Sequence, residues 1–160
     1  MSKKASKYRP SSCYHVTFAT KRRKPVLAGE VRDRVQYWFG QLASERGFEL
    51  IEHNTWLDHV HMLIFVRPGE DLCHVMNILK GTCARRIFQE FDDLKMQIGE
   101  NHLWSRRFHA DEVPLEALDR ARRYIRGQGE IHSVRAGQLP VATWEQWRDL
   151  GVTRAQSEDA

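Results

Sequence analysis

The segment His59–Val66 (HVHMLIFV) constrains the fold more than any other stretch. It holds no glycine, proline, Asp, Glu, Lys or Arg, and it is apolar at both odd and even positions apart from its two histidines. A run of that length and composition reads as a central strand covered on both faces. Arg67-Pro68-Gly69 breaks it. It cannot be a membrane span, since its purely apolar part, Met62–Val66, falls far short of about 20 residues.

The flanking sequence supplies partners for such a strand. Cys13–Ala19 (CYHVTFA) and Phe48–Trp56 are strand-like, and His102–Phe108 reads as a further short strand. Val31, Val35, Trp38, Phe39 and Leu42 recur at helical spacing, which predicts a helix over Gly29–Arg46 closed by Gly47. Leu72, Val75, Met76, Leu79, Cys83 and Ile87 predict a second helix over Asp71–Phe91. Pro114 is placed to open a third, running to about Gln128. The order is β-α-β-β-α-β followed by a helix. It predicts an α+β, ferredoxin-like split βαβ fold: an antiparallel sheet with helices packed on one face, plus a C-terminal helix. Residues 1–11 read as a flexible basic arm, 12–130 as the domain, and 131–160 as an extension with a polar tail.

Charge narrows the class of partner. The chain has 160 residues, 41% of them hydrophobic and 29% charged, an ordinary balance for one globular domain. Residues 1–46 carry 11 Lys/Arg against 3 Asp/Glu, whereas residues 47–101 carry 5 against 9. The densest run, Lys21-Arg22-Arg23-Lys24, suits phosphate contact, although a solvated loop has the same composition. Three cysteines without a CxxC pattern suit a reducing compartment, and no apolar segment follows the basic N-terminus as in a signal peptide. The expectation is a cytoplasmic protein with no membrane association.

Two groups of residues offer chemistry. His59 and His61 stand at i and i+2 of a strand, so their imidazoles point to one face and can share a divalent metal. Taken alone, such a pair is more often simply the content of a half-buried strand than a metal site. Tyr124 and Gln128 are four apart on the last helix and share a face. Tyr124 lies beside the apolar stripe of Leu118, Ala121 and Ile125, a place more often held by an anchored core residue than by a nucleophile. Arg120, Arg122, Arg123 and Arg126 surround it and would favour a phenolate and attract phosphate. Together these parts suit phosphodiester chemistry: a metal on two imidazoles polarises the phosphate, a tyrosine attacks it, and a Gln carbonyl adds a hard oxygen ligand. The cut bond is conserved as a phosphotyrosine, so no energy source is needed, and the chain has no GxxxxGK[ST] nucleotide loop.

In sequence the chain resembles the single-tyrosine HUH transposases of the IS200/IS605 insertion-sequence family. The likeness runs through Tyr14–Leu27 (YHVTFATKRRKPVL), Asp58–Phe65 (DHVHMLIF), Leu79–Phe88 (LKGTCARRIF), His102–Phe108 (HLWSRRF) and Tyr124–Gln128 (YIRGQ). It implies cleavage of single-stranded DNA at the ends of an element, with recognition of subterminal hairpins. Tyr124 would form a 5′-phosphotyrosine, and His59, His61 and Gln128 would hold Mg²⁺ or Mn²⁺ with no nucleotide cofactor. A homodimer with sites shared between subunits is also implied. Gly127 departs from the family pattern, where a larger polar residue is expected.

DNA contacts are expected at Lys21, Arg22, Arg23 and Lys24, with Lys80, Arg85 and Arg86 as a possible hairpin-facing set. Trp104 or Phe108 offers a stacking surface, or simply core. Two alternatives stand beside the transposase reading. One is a domesticated or non-catalytic relative that binds hairpins. The other is a hydrolytic metallo-nuclease that uses water as nucleophile.

Overall fold

A computed structural model describes residues 7–135, with side chains from 7 to 127. The elements in chain order are β1 (Ser12–Ala19), α1 (Gly29–Arg46), β2 (Glu49–Thr55), β3 (His59–Val66), α2 (Leu72–Glu90), α3 (Leu94–Ile98), β4 (His109–Val113) and α4 (Leu118–Arg135). The strands form one antiparallel sheet in the order β2-β3-β1-β4, the ferredoxin-like arrangement expected from the sequence. β3 is central, and only its Phe65 escapes full burial.

Alternation along the strands sorts the side chains between two layers. Tyr14, Val16 and Phe18 of β1 and Val60, Met62, Ile64 and Val66 of β3 pack under α1 and α2 with Val35, Phe39, Leu42, Met76 and Leu79. The opposite face carries Cys13, Leu63 and Val113, capped by Ala117, Ala121 and Ile125 of the α4 region. The sheet is thus filled on both sides, with α1 and α2 on one and α4 on the other. α1 ends where Gly47 turns left-handed, φ +75°, and returns its N–H to the carbonyls of Ala43 and Ser44. Asp71 caps α2 by accepting from the Cys73 amide.

Three features differ from the sequence expectations. The fourth strand is His109–Val113, not His102–Phe108. Residues 102–108 are irregular because Leu103 and Trp104 turn into the core, Trp104 against Phe18 at 4.9 Å between ring centroids, and they meet the end of β1 through the isolated bridge Thr20–Trp104 rather than a continuous ladder. The described end of the N-terminal arm is tied down: the Tyr8 ring packs at 5.4 Å from Tyr14, and Arg9 pairs with Glu112. The last helix runs past Gln128 to Arg135. Among the described residues no helix is long and apolar enough to cross a membrane. Most of 131–160 lies outside the described residues.

Candidate active site

The face of the sheet beneath α4 is apolar at one end and polar at the other. In the strand registers Asn54, His61, Thr17 and His109 stand opposite one another, forming a polar row across all four strands. His59 lies one pleat further toward the end of β1, and His15 one pleat back. A bulge in β2 between Leu50 and Glu52 sets the phase that puts Glu52 and Asn54 on this face.

The two histidines singled out in sequence are buried here, His59 6% exposed and His61 0%. Their ring centroids are 5.0 Å apart. Each uses its Nδ1 on a protein partner. His59 Nδ1 lies 2.7 Å from Asp58 Oδ1, and His61 Nδ1 lies 2.8 Å from His15 Nε2. An imidazole held through Nδ1 offers Nε2 to a metal, the usual arrangement behind ligating histidines. Burial holds the His59 pKa below its usual value, more than offsetting the upward pull of the Asp58 hydrogen bond, which keeps the ring in the neutral, ligating form. The donor set therefore fits a divalent ion as two of its ligands. Among the described residues no three His, Cys, Asp or Glu side chains form a metal group, so further donors have to be of another type. Gln128 lies on the α4 backbone, but its side chain is outside the described residues.

Tyr124 is brought to the same face. Its ring is half-buried and packs on the cluster of Leu63, Ala121 and Ile125. β2 anchors this part of α4. Asn54 Nδ2 donates to the Ile125 carbonyl at 3.0 Å, and Glu52 accepts from Arg126 at 3.0 Å with Arg122 3.6 Å away. Arg122 and Arg126 thus pair with Glu52 where the helix docks on β2. A Cβ at Gly127 would meet nothing within 4 Å among the described residues.

The basic loop sits beside the histidines and is fixed to them through the chain. The Thr20 amide and hydroxyl both donate to the Asp58 carbonyl, and the hydroxyl also reaches the Lys24 carbonyl at 2.8 Å. Arg23 bonds the Asp58 carboxylate at 3.3 Å, and Arg22 bonds Glu100 at 2.8 Å. Both arginines have positive φ, 57° and 55°, a conformation that costs a non-glycine residue of order 1 kcal/mol each. Lys21 and Lys24 complete the loop, Lys24 exposed.

On the α2 side of the sheet a cleft of about 940 Å³ opens between α2 and residues 101–106. Lys21, Lys80, Arg85, Lys95 and Arg106 line it with no carboxylate among the lining residues. Lys80, named in the expected DNA-contact set, is largely buried in the wall of this cleft. It is 8% exposed, and its ammonium donates to the carbonyls of Ser105 at 2.8 Å and Arg107 at 3.2 Å, with the Phe18 ring 5.1 Å away. Burial lowers its pKa to about 8. Its visible role is to hold the 105–107 segment on α2. Arg86 lies over Trp38 at 4.7 Å, and Arg85 faces the cleft. Trp104 is core, and Phe108 packs at 5.9 Å from Tyr8. Sequence reasoning passed over Lys95 and Arg106 as cleft cations and Asp58 and His15 as partners of the histidines. The DH pair was the available signal for Asp58.

Comparisons with known proteins bear on this geometry. The family described as "Transposase IS200 like" matches residues 9–128. The ISDra2 transposase TnpA of Deinococcus radiodurans is 30% identical over 115 residues, 72% of this chain and 82% of that protein. The transposase for insertion sequence element IS200 of Salmonella typhimurium is 30% identical over 100 residues, covering 62% of this chain and 66% of that one. A crystal structure of a Deinococcus radiodurans R1 protein described as a transposase superposes with TM-score 0.61 at 31% identity, covering 79% of this chain and 98% of that chain. The REP-associated tyrosine transposase bound to a REP hairpin shares the fold, TM-score 0.52 at 17% identity, over 87% of this chain and 76% of that one.

Proposed function

We propose that this chain, which belongs to the IS200-like transposase family, cleaves and rejoins single-stranded DNA at the ends of an insertion sequence with Tyr124 as its nucleophile. The family carries DNA cleavage and strand transfer in general. The assignment of roles to residues rests on one observation. His59 and His61 are both held through Nδ1 on the sheet face that α4 covers, and Tyr124 sits on α4 over that face.

In this reading His59, His61 and the Gln128 carbonyl hold Mg²⁺ or Mn²⁺. A divalent ion held there would supply Lewis-acid polarisation of the scissile phosphate. The Tyr124 Oη attacks phosphorus, the bond from phosphorus to the 3′ oxygen breaks, and the phenol proton ends on the freed 3′-OH. The 5′ end stays on Tyr124 as a phosphodiester until another 3′-OH attacks it, so resealing is the same step in reverse. The low solvent exposure of the histidines limits access of competing water. The basic loop, Lys21, Arg22, Arg23 and Lys24, and the cleft cations Arg85, Lys95 and Arg106 take the phosphates of the strand and its subterminal hairpin. Arg86 lies at the margin of this set. The protein works as a homodimer. The Asn54–Ile125 bond supports a site completed by α4 of the same chain, and sharing of α4 between subunits requires that bond to open.

The test uses labelled single strands from both flanks of the gene, incubated with Mg²⁺ or Mn²⁺ and run on a denaturing gel. The expected result is label retained on the protein and lost with Tyr124→Phe or a chelator. Cleavage without retained label would replace the tyrosine by water. Tight hairpin binding with neither would favour a regulatory hairpin-binding relative.

A further inference from the structure

We propose that His15 is a positioning residue for the metal site: it accepts the Nδ1 proton of His61 and thereby fixes His61 in the tautomer that leaves Nε2 for a divalent ion. The inference rests on the reading of His61 as a ligand. His15 Nε2 lies 2.8 Å from His61 Nδ1, and the two rings lie edge to edge, their centroids 5.0 Å apart and their planes within 8° of parallel. Both are buried, His15 at 1% and His61 at 0% exposure, so the bond is shielded from competing water. The pairing is not an accident of neighbours in sequence. Thr17 stands opposite His61 in the β1–β3 register, and His15 reaches it on the diagonal from the next pleat.

The chemistry leaves one useful assignment. A neutral imidazole carries one proton. For His61 to ligate through Nε2 that proton must sit on Nδ1, where only an acceptor can hold it. His15 Nε2 is such an acceptor when the His15 proton is on its own Nδ1. The Thr17 hydroxyl also reaches both rings, 3.4 Å from His61 Nδ1 and 3.5 Å from His15 Nε2, but at the long limit of a hydrogen bond and well outside the 2.8 Å contact between the imidazoles. The same division of labour appears at the neighbouring ring, where the Asp58 carboxylate holds His59 Nδ1. A carboxylate on one ligand and an imidazole on the other give the pair unequal basicity, and the imidazole adds no net charge to the buried face.

The test has two parts. The first needs no metal: ring-nitrogen NMR of ¹⁵N-histidine-labelled protein reports the His61 tautomer. The wild type is expected in the Nδ1–H form, and His15→Leu is expected to mix or reverse it. The second is Mn²⁺ affinity measured by electron paramagnetic resonance. His15→Leu is expected to weaken binding about 10- to 100-fold. His15→Gln, whose amide oxygen reaches as far as the imidazole Nε2, is expected to restore both readouts to within a few-fold, and it keeps the test decisive if His15→Leu folds poorly. A wild-type Nε2–H tautomer, or unchanged tautomer and affinity in His15→Leu, would overturn the proposal. So would His15→Gln losing as much affinity as His59→Ala, since His15 would then be a ligand itself. A wild-type Nδ1–H signal in a protein that binds no Mn²⁺ would instead overturn the metal reading of the pair and, with it, the purpose given to His15.

Discussion

The side chain of Asn54 and the backbone of Ile125 are joined by a 3.0 Å hydrogen bond, from the Asn54 amide to the Ile125 carbonyl. Asn54 stands opposite His61 in the β2–β3 register, and Ile125 follows Tyr124 on α4. One bond therefore couples the strand next to the histidines with the helix turn that carries the tyrosine. Glu52, two residues earlier, reinforces it through Arg126.

Asn54→Ala should separate helix placement from folding. Loss of one partly buried bond costs about 1 kcal/mol, a small fall in thermal midpoint. With Tyr124 in its proposed role as nucleophile, strand cleavage should fall about tenfold or more, because displacements near 1 Å carry such penalties. Hairpin affinity should not change. Equal activity of Asn54→Ala and wild type in the covalent-adduct assay would show that α4 needs no such anchor.

Tyr124→Phe removes one oxygen from a ring that already packs on Leu63 and Ile125. It should fold with an unchanged circular dichroism spectrum and melt within a few degrees of wild type. Covalent adduct should be undetectable, a loss of at least a thousandfold. Residual adduct on the variant would mean that another side chain attacks the phosphate.

Asp58 touches both the His59 ring and Arg23. Asp58→Ala removes the acceptor that orients His59, and Mn²⁺ affinity should drop about 10- to 100-fold. Arg23→Gln leaves that acceptor in place and should change metal affinity little, while weakening DNA binding. Similar metal affinities for Asp58→Ala and wild type would show that burial alone orients His59.

The cleft cations make a contrast with Lys80. Each of Arg85→Gln, Lys95→Gln and Arg106→Gln should lower affinity for a single-stranded probe and flatten the plot of log affinity against log salt by about 0.7. Lys80→Met should leave that slope unchanged. It leaves the Ser105 and Arg107 carbonyls without their donor and should cost about 1–3 kcal/mol in urea unfolding. A slope change for Lys80→Met would return that lysine to the phosphate contacts.

What could be read in the sequence follows the range of the forces involved. α1 was legible at both ends because its apolar spacing and the Gly47 cap are local. β3 was legible because burial on both faces leaves a plain apolar run. β4 was not: HADEV has weak strand preference and becomes a strand through pairing with β1, Cys13 against Val113. The aromatic segment 102–108 looked more like a strand than β4 does, yet Leu103 and Trp104 are core plugs on an irregular backbone. α3 is five residues long, too short for a period to appear. At the site, the His59–His61 pair is local and was visible. His15 is 46 residues from His61 in sequence and meets it only through strand register. Lys80 read as exposed because charge on a helix normally is. Its burial depends on two carbonyls from a distant segment.

His53 gives a stability prediction whose sign can be worked through. It lies on the α1 face of β2, with its Nε2 3.1 Å from the Gln36 carbonyl, and burial lowers its pKa to about 4 from an ordinary 6.5. The folded protein therefore resists protonation that the unfolded chain accepts. The contribution is fully present above pH 6.5 and is lost as pH falls from 6.5 toward 4, at up to about 1.4 kcal/mol per pH unit. Below pH 4 both states are protonated and the slope from this residue vanishes. His53→Gln can still donate to Gln36 but has no proton to gain. Urea unfolding between pH 7 and 4.5 should therefore show a shallower loss of stability for the variant than for the wild type. Parallel curves would mean that the His53 ring titrates alike in both states, and that its burial carries no pH dependence.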